Sequence, residues 1–296
     1  MYLAHVIARQ GNTYLVEDNE HKTQYHCHVR TNAIDAVCGD LVECEAASTS
    51  KHVIERVCPR KNQITRRDNF KREKTLAANI DHIIVVMAAT PTYATPLIDK
   101  YLASALINRC KTTLVINKAE LLNSNNLNIS ELEDTYQDLV DNFIVTSARL
   151  GYGIQTLRKV IANEVSILVG QSGVGKSSLI NRLLNSNTIK VGELSENIQQ
   201  GKHTTTNAYA HNINQHGKII DSPGVRTFIP VFETIQDVMH GYKEFIPHIN
   251  QCKFSDCHHI SEPQCKIKQE VELGNIALSR YESYVENFHE VKNYST

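Results

Sequence analysis

Two glycines, an amine and a hydroxyl, spaced as in Gly170-Gln171-Ser172-Gly173-Val174-Gly175-Lys176-Ser177, are the parts needed to hold a polyphosphate. Gly170 and Gly175 let the backbone turn back on itself. Successive N–H groups and the start of a following helix then converge on one small anionic volume. Gln171, Ser172, Gly173 and Val174 complete that cradle, and Ser178 follows it into the helix. Lys176 reaches the β- and γ-phosphates, and the Ser177 hydroxyl is a ligand for Mg²⁺. The apolar run Val165–Val169 precedes the stretch, and Leu179, Ile180, Leu183 and Leu184 follow it at helical spacing. A strand, a Gly-rich turn and a helix in that order form a P-loop.

Three further motifs follow short apolar runs. Asn117-Lys118-Ala119-Glu120 comes after Leu114–Ile116 and resembles the Asn-Lys-x-Asp base-recognition motif of GTPases. An Asn amide can hydrogen-bond a purine edge and a Lys stem can lie along the base. A carboxylate can accept from the guanine N1–H and exocyclic amine, where adenine presents the wrong pattern. Thr146-Ser147-Ala148 follows Phe143–Val145 and looks like the loop that backs the same base. Asp221-Ser222-Pro223-Gly224 follows Lys218–Ile220 and matches Asp-x-x-Gly, in which Asp221 reaches Mg²⁺ through water and the Gly224 N–H meets the γ-phosphate. The polar segment Gly192–Thr206 ends in Gly201-Lys202-His203-Thr204-Thr205-Thr206 and has switch character. Thr205, or alternatively Thr204, is its expected Mg²⁺ ligand.

The elements that must position these residues are legible as alternating periods. From Asn69 to Phe232, buried-type runs at Ile83–Met87, Leu114–Ile116, Phe143–Val145, Val165–Val169 and Lys218–Ile220 predict strands. Helical spacing between them predicts helices near Leu97–Asn108, Glu131–Val140, Ile154–Asn163 and Lys176–Leu184. This is an α/β domain with a mainly parallel sheet and ligands beyond its carboxyl ends. Before it, Met1–Asp68 carries five short alternating runs: His5–Ala8, Tyr14–Glu17, Tyr25–Val29, Leu41–Cys44 and Val53–Val57. They suit a five-stranded OB-fold barrel or another small all-β module. Arg60, Lys61, Arg66, Arg67, Lys71, Arg72 and Lys74 then form a basic stretch that suits phosphate contacts or a solvated face. After the α/β domain, Cys252, Cys257, His259 and Cys265 are spaced Cys-x4-Cys-x-His-x5-Cys, which suits a tetrahedral Cys₃His zinc site or incidental cysteines. A helical part is predicted near Ile276–Phe288.

The chain of 296 residues carries a formal net charge of -1, with 41% hydrophobic and 21% charged residues. That balance excludes a globally basic nucleic-acid binder and leaves local patches. No apolar run approaches the roughly 18 residues of a membrane span, and Met1–Asn12 lacks a signal-peptide core. A cytoplasmic location without membrane partners is expected. Eight cysteines are too few for a disulfide scaffold in a chain of this length.

In most small GTPases the P-loop comes first; here the base-recognition and Ser-Ala motifs precede it. Such a circular permutation, with a β-barrel before it and a Cys/His cluster after it, resembles the ribosome small-subunit-dependent GTPases of the RsgA family. The resemblance covers nearly the whole chain. It rests most specifically on Gly201–Thr206, the P-loop, and Cys252–His259 with Glu262-Pro263-Gln264-Cys265. It implies an OB-fold RNA-binding barrel over 1–68, a permuted GTPase domain over 69–232 and a helical zinc module over 233–296. It also implies GTP/GDP, Mg²⁺ and one structural Zn²⁺, with His259 rather than His258 as ligand. The implied partner is the small (30S) subunit and its rRNA, in a late assembly step. A monomer is expected.

Two positions depart from the common pattern. Glu120 stands where Asp is usual, with GTP still expected over ATP. Val225 stands where many GTPases place a water-orienting Gln, and valine has no group to do this. The resemblance suggests that His203 orients the water once the partner docks, with Lys176 and Thr205 completing the catalytic set. The alternatives are a GTPase acting on a different RNA or protein, and a nucleotide-responsive RNA-binding protein whose hydrolysis is incidental.

Overall fold

A computed structural model describes residues 1–30, 34–48, 51–67, 73–91, 94–124, 128–185, 208–226 and 228–294. The expected switch residues His203, Thr204 and Thr205 lie outside them. The first five strands are β1 (Tyr2–Gln10), β2 (Thr13–Asp18), β3 (Gln24–Val29), β4 (Leu41–Ser48) and β5 (Lys51–Val57). Strand order β1-β2-β3-β5-β4, closed by β1 against β4, makes a barrel with β3 and β5 parallel. Alternation fills it: Ala4, Val6, Tyr14, Val16, Cys27, Val42, Cys44 and Ile54 point inward.

A hairpin of β6 (Gln63–Arg67) and β7 (Glu73–Ala78) follows, where the sequence suggested only a basic stretch. Ile64, Ala77 and Ala78 are buried on it while Arg66 and Lys74 are exposed. Arg60 does not serve as a surface cation. Its guanidinium grips the fully buried Asp40 carboxylate at 2.7 Å and 2.8 Å, which anchors the barrel exit.

The chain then alternates as β8 (His82–Ala88), α1 (Thr95–Ile107), β9 (Lys111–Asn117), α2 (Ile129–Tyr136), β10 (Asn142–Val145), α3 (Ile154–Val160), β11 (Val165–Val169) and α4 (Lys176–Leu183). β12 (Tyr209–Asn212), β13 (Lys218–Asp221) and the short α5 (Pro223–Arg226) complete the unit. The sheet order β10-β9-β8-β11-β13 is parallel throughout, and β12 adds antiparallel to β13. β8 is buried at every position because both faces are covered: Ile83, Val85 and Met87 meet α1 residues such as Tyr101, while Ile84 and Val86 meet Leu179 and Ile180 of α4. Through β1 against β12 the same sheet runs on into the barrel.

α6 (Ile235–His240), α7 (Lys266–Glu272) and α8 (Leu278–Tyr294) form the C-terminal part. A Thr234–Asp237 capping box starts α6. Phe232, Val238, Tyr242, Phe245, Tyr284 and Phe288 share a core there with Ala103 of α1. Under this core, Arg280 of α8 bonds Asp99 of α1 at 2.6 Å and Glu244 at 2.7 Å. Among the described residues, no helix is long and apolar enough to cross a membrane.

Candidate nucleotide and metal sites

Because β10, β9, β11 and β13 run parallel, Val145, Asn117, Val169 and Asp221 end on one edge of the sheet. The four loops that carry the predicted motifs therefore face the same volume.

Asn117 holds three of them together. Its Nδ2 donates to Val174 O at 2.9 Å, and its Oδ1 accepts from Thr146 Oγ1 and Ala148 N, each at 3.1 Å. Nδ2 has a second hydrogen, so one donor remains for a purine. The P-loop leaves no room at that point for a side chain: a Cβ on Gly175, at φ +97°, would stand 2.3 Å from Asn117 Nδ2. Gly170 meets the same restriction against Val86 O, at 2.2 Å. Arg182 of α4, which nothing in the sequence singled out, donates to Ala148 O and Arg149 O at 2.7 Å and 2.9 Å and so pins the Ser-Ala loop.

Next to this knot lies a cavity of about 850 Å³ lined by Asn117, Lys118, Glu120, Ala148, Gly175 and Ser178. Glu120 is half-buried there, and a hydrogen bond from Ser147 holds its carboxyl below the usual range. Among the described residues its Oε2 is buried with no partner. A carboxylate oxygen in need of donors, on the wall of a cavity large enough for a nucleoside, fits the N1–H and amine of guanine. The extra methylene of Glu120 therefore does not carry the group away from the pocket. Ser147 is used on Glu120 and, at 3.0 Å, on Leu150 N, so its side chain supports the base-facing group. Lys118 stretches its Nζ to Thr90 O at 2.8 Å.

At the phosphate end, Lys176 is buried and its Nζ donates to Gly170 O and Gln171 O at 2.6 Å and 2.7 Å. Burial, helped by the nearby Arg226 charge, pulls its pKa down to about 8. An ammonium held by two carbonyls at the mouth of a P-loop is poised for phosphate oxygens, which offer stronger acceptors. Ser177 and Asp221, expected around Mg²⁺, meet through Arg226, which no sequence motif marks: it donates to both Asp221 oxygens and, at 2.6 Å, to Ser177 Oγ. A hydroxyl and a carboxylate sharing one cation form an oxygen donor set that suits Mg²⁺. Val225 is buried in the core and its N–H is bound to Ser222 Oγ at 2.9 Å, so it has no part in orienting water.

The second site lies in the C-terminal part. Ligand atoms of Cys252, Cys257, His259 and Cys265 all lie within 4.8 Å of one another. His259 Nδ1 is 3.5, 3.5 and 3.4 Å from the three sulfurs in that order, and Cys252 Sγ is 4.0 Å from Cys265 Sγ. A tetrahedron with zinc–sulfur bonds of about 2.3 Å and zinc–nitrogen of about 2.0 Å has edges of about 3.5 Å (S–N) and 3.8 Å (S–S). The cluster thus has the size and donor set of a structural zinc site. His258 turns away toward the Phe288 ring, 5.5 Å between centroids.

The sequence profile of a family described as RsgA GTPase matches residues 57–229. A protein from Hahella chejuensis named small ribosomal subunit biogenesis GTPase RsgA is 39% identical over 284 residues, 95% of this chain and 82% of that one. One of the same name from Thermotoga maritima is 37% identical, covering 97% and 95%. The crystal structure of YjeQ from Thermotoga maritima superposes with a TM-score of 0.80 at 33% identity over 98% of both chains. That of YloQ, a circularly permuted GTPase, gives 0.76 at 21% identity over 99% and 96%, which bears on the fold.

Proposed function

The chain belongs to the RsgA family of GTPases, and we propose that it hydrolyses GTP on the small ribosomal subunit, in a late step of that subunit's assembly. The observation that carries the nucleotide half of this reading is the Asn117 knot, where a base-reading residue is bonded to the P-loop across a permuted chain order. The ribosomal half is supported by the names of the relatives.

In the proposed mechanism Asn117, Lys118 and Glu120 take the guanine, backed by Ser147 and Ala148. The N–H groups from Gly170 to Ser178 and the Lys176 ammonium take the phosphates. Mg²⁺, when bound, would supply charge neutralisation for the phosphates. Ser177, Asp221 and Thr205, with Thr204 the alternative, are the side chains assigned to hold it. Gly224 is assigned to the γ-phosphate. Val225 is unable to position water, so that role falls to His203, brought in by the partner. The loop from Asp221 leads through Phe228, whose carbonyl accepts from Tyr101 at 2.6 Å, to Phe232 in the zinc module's core. A shift at Asp221 on hydrolysis is thereby passed to the C-terminal module, and subunit release follows.

The proposed division is 1–68, 69–232 and 233–296, with the β6–β7 hairpin straddling the first boundary. The barrel and zinc module are assigned to rRNA. The protein is taken to act as a cytoplasmic monomer. GTP turnover by the zinc-loaded protein, alone and with purified small or large subunits, tests the reading. Stimulation by small subunits only supports it; stimulation by neither removes the ribosomal half. The burial of Val225 favours one rival, a nucleotide-responsive RNA binder with incidental hydrolysis. Unstimulated turnover together with nucleotide-dependent subunit binding would favour that rival.

A further inference from the structure

Ser177 belongs to the first turn of α4 and Asp221 closes β13, yet one guanidinium joins them. Arg226 Nε and Nη2 take the two Asp221 oxygens, and Nη1 reaches Ser177 Oγ at 2.6 Å. Arg226 is 9% exposed, and Asp221 and Ser177 are half-buried. These are the two side chains assigned above to the divalent metal. Their shared cation here belongs to the protein. We propose that Arg226 is a built-in counter-cation for the Mg²⁺ position: it neutralises Asp221 and holds Ser177 while the metal is absent, and it must withdraw when Mg²⁺ enters with the nucleotide.

Mg²⁺ demands oxygen ligands at about 2.0–2.1 Å in near-octahedral array, with Ser177 Oγ turned toward it. A hydroxyl serving as acceptor to Arg226 at hydrogen-bond distance, and a carboxylate with both oxygens engaged by the same fork, are not free for that array. Guanidinium and metal therefore compete. Without either, Asp221 would stand as an uncompensated half-buried carboxylate facing incoming phosphates, and would repel them. With Arg226 in place, nucleotide can bind metal-free at modest cost. When the metal arrives, breaking the fork offsets part of its gain. Arg226 ends α5, two residues after Gly224, with its N–H bonded to Ser222 O at 3.0 Å, so its release moves the same loop that leads to Phe228. Metal uptake is thus coupled to the loop's position.

This inference rests on the nucleotide-binding reading, and the test separates the two. Binding of a fluorescent GDP analogue to the full-length zinc-loaded protein is measured with saturating Mg²⁺ and in excess EDTA, for wild type, Arg226→Ala and Arg226→Lys. Arg226→Ala should weaken the metal-free complex and tighten the Mg²⁺ complex. The ratio of the two dissociation constants should then grow about tenfold or more. Arg226→Lys, which keeps the charge but not the fork, should fall between. Equal shifts of both constants would mark an ordinary structural ion pair and overturn the proposal. Absence of binding by wild type itself would overturn the nucleotide reading and this proposal with it. The wild type supplies a readout that needs no substitution: the Arg226 Nε–H resonance should lose its carboxylate-bonded position with Mg²⁺·GDP and keep it with GDP in EDTA. An unchanged resonance on metal addition would also overturn the proposal.

Discussion

Asn117 Nδ2 and Val174 O lie 2.9 Å apart, so the residue that ends β9 is bonded to the turn that opens α4, 57 positions later in the chain. In an unpermuted order the P-loop would come first. What is preserved here is the meeting of the loops at one edge of the parallel sheet, which depends on strand order in space and not on chain order. The rest of the site is arranged around that bond.

Asn117→Ala should therefore cost both stability and binding. It leaves Thr146 Oγ1, Ala148 N and Val174 O without their buried partner. A loss of about 2–3 kcal/mol in urea unfolding is expected, with weaker GDP and GTP binding alike. An undiminished stability would show that the knot is dispensable.

In the proposed function Glu120 decides the base. Its Oε2, buried and unpartnered among the described residues, would accept from guanine and have nothing to gain from adenine. GTP should outcompete ATP by about a hundredfold or more in a displacement titration, and Glu120→Ala should erase most of that difference. Equal GTP and ATP affinities in the wild type would refute the role.

Much of this arrangement was legible in the sequence because the parallel strands are buried on both faces. Val165–Val169 has the predicted bounds, and β8, β9, β10 and β13 extend the predicted runs by no more than a few residues. Five barrel strands were legible by alternation. β12 was not, since Tyr-Ala-His-Asn buries only Ala210 and carries neither period clearly. The β6–β7 hairpin was obscured by its own charges, although Ile64, Ala77 and Ala78 are buried on it. Asp40 as the partner of Arg60 was invisible because a fully buried carboxylate twenty residues away leaves no local signal. Arg226 and Arg182 escaped for the same reason: single arginines whose partners lie on other elements.

The Lys176 ammonium gives a pH signature. Its pKa in the nucleotide-free protein lies at about 8, lowered mainly by burial. Phosphates favour the charged form, so bound protein retains a proton that free protein loses above that value. Affinity should thus be constant below pH 8 and fall toward tenfold per pH unit above it, measured in EDTA. Lys176→Arg, which stays charged, should flatten the profile.

Metal removal should act on the C-terminal part. Burial pushes the Cys257 and Cys265 thiols up, so a cation is needed to keep them ionised, and binding must release protons. The ligand loop is tied to α8 by Tyr281 OH to His259 O at 2.8 Å and Tyr284 OH to His258 O at 2.6 Å. Chelation or Cys257→Ser should abolish a zinc content of about one ion per chain and expose α8 amides to hydrogen exchange, while GDP binding persists. Full zinc retention by Cys257→Ser would exclude it as a ligand.

Arg280 joins that helix to the GTPase unit. The guanidinium is 2% exposed, donates at 2.6 Å to the fully buried Asp99 of α1, and is shared with Glu244 at 2.7 Å. Asp99 Oδ1 also accepts from Tyr136 OH of α2 at 2.9 Å, so three helices meet at one carboxylate. Arg280→Met strips the charge and leaves both acids uncompensated, for an expected loss of about 3–5 kcal/mol by urea unfolding. Adding Asp99→Asn removes the stranded carboxylate, so the double variant should be no less stable than Arg280→Met, and the two changes should be strongly non-additive. Simple additivity would mean that the two groups do not act as a pair. Because Asp99 and Arg280 lie in different domains of the proposed division, the coupling energy measures directly how firmly the zinc module is held to the GTPase unit.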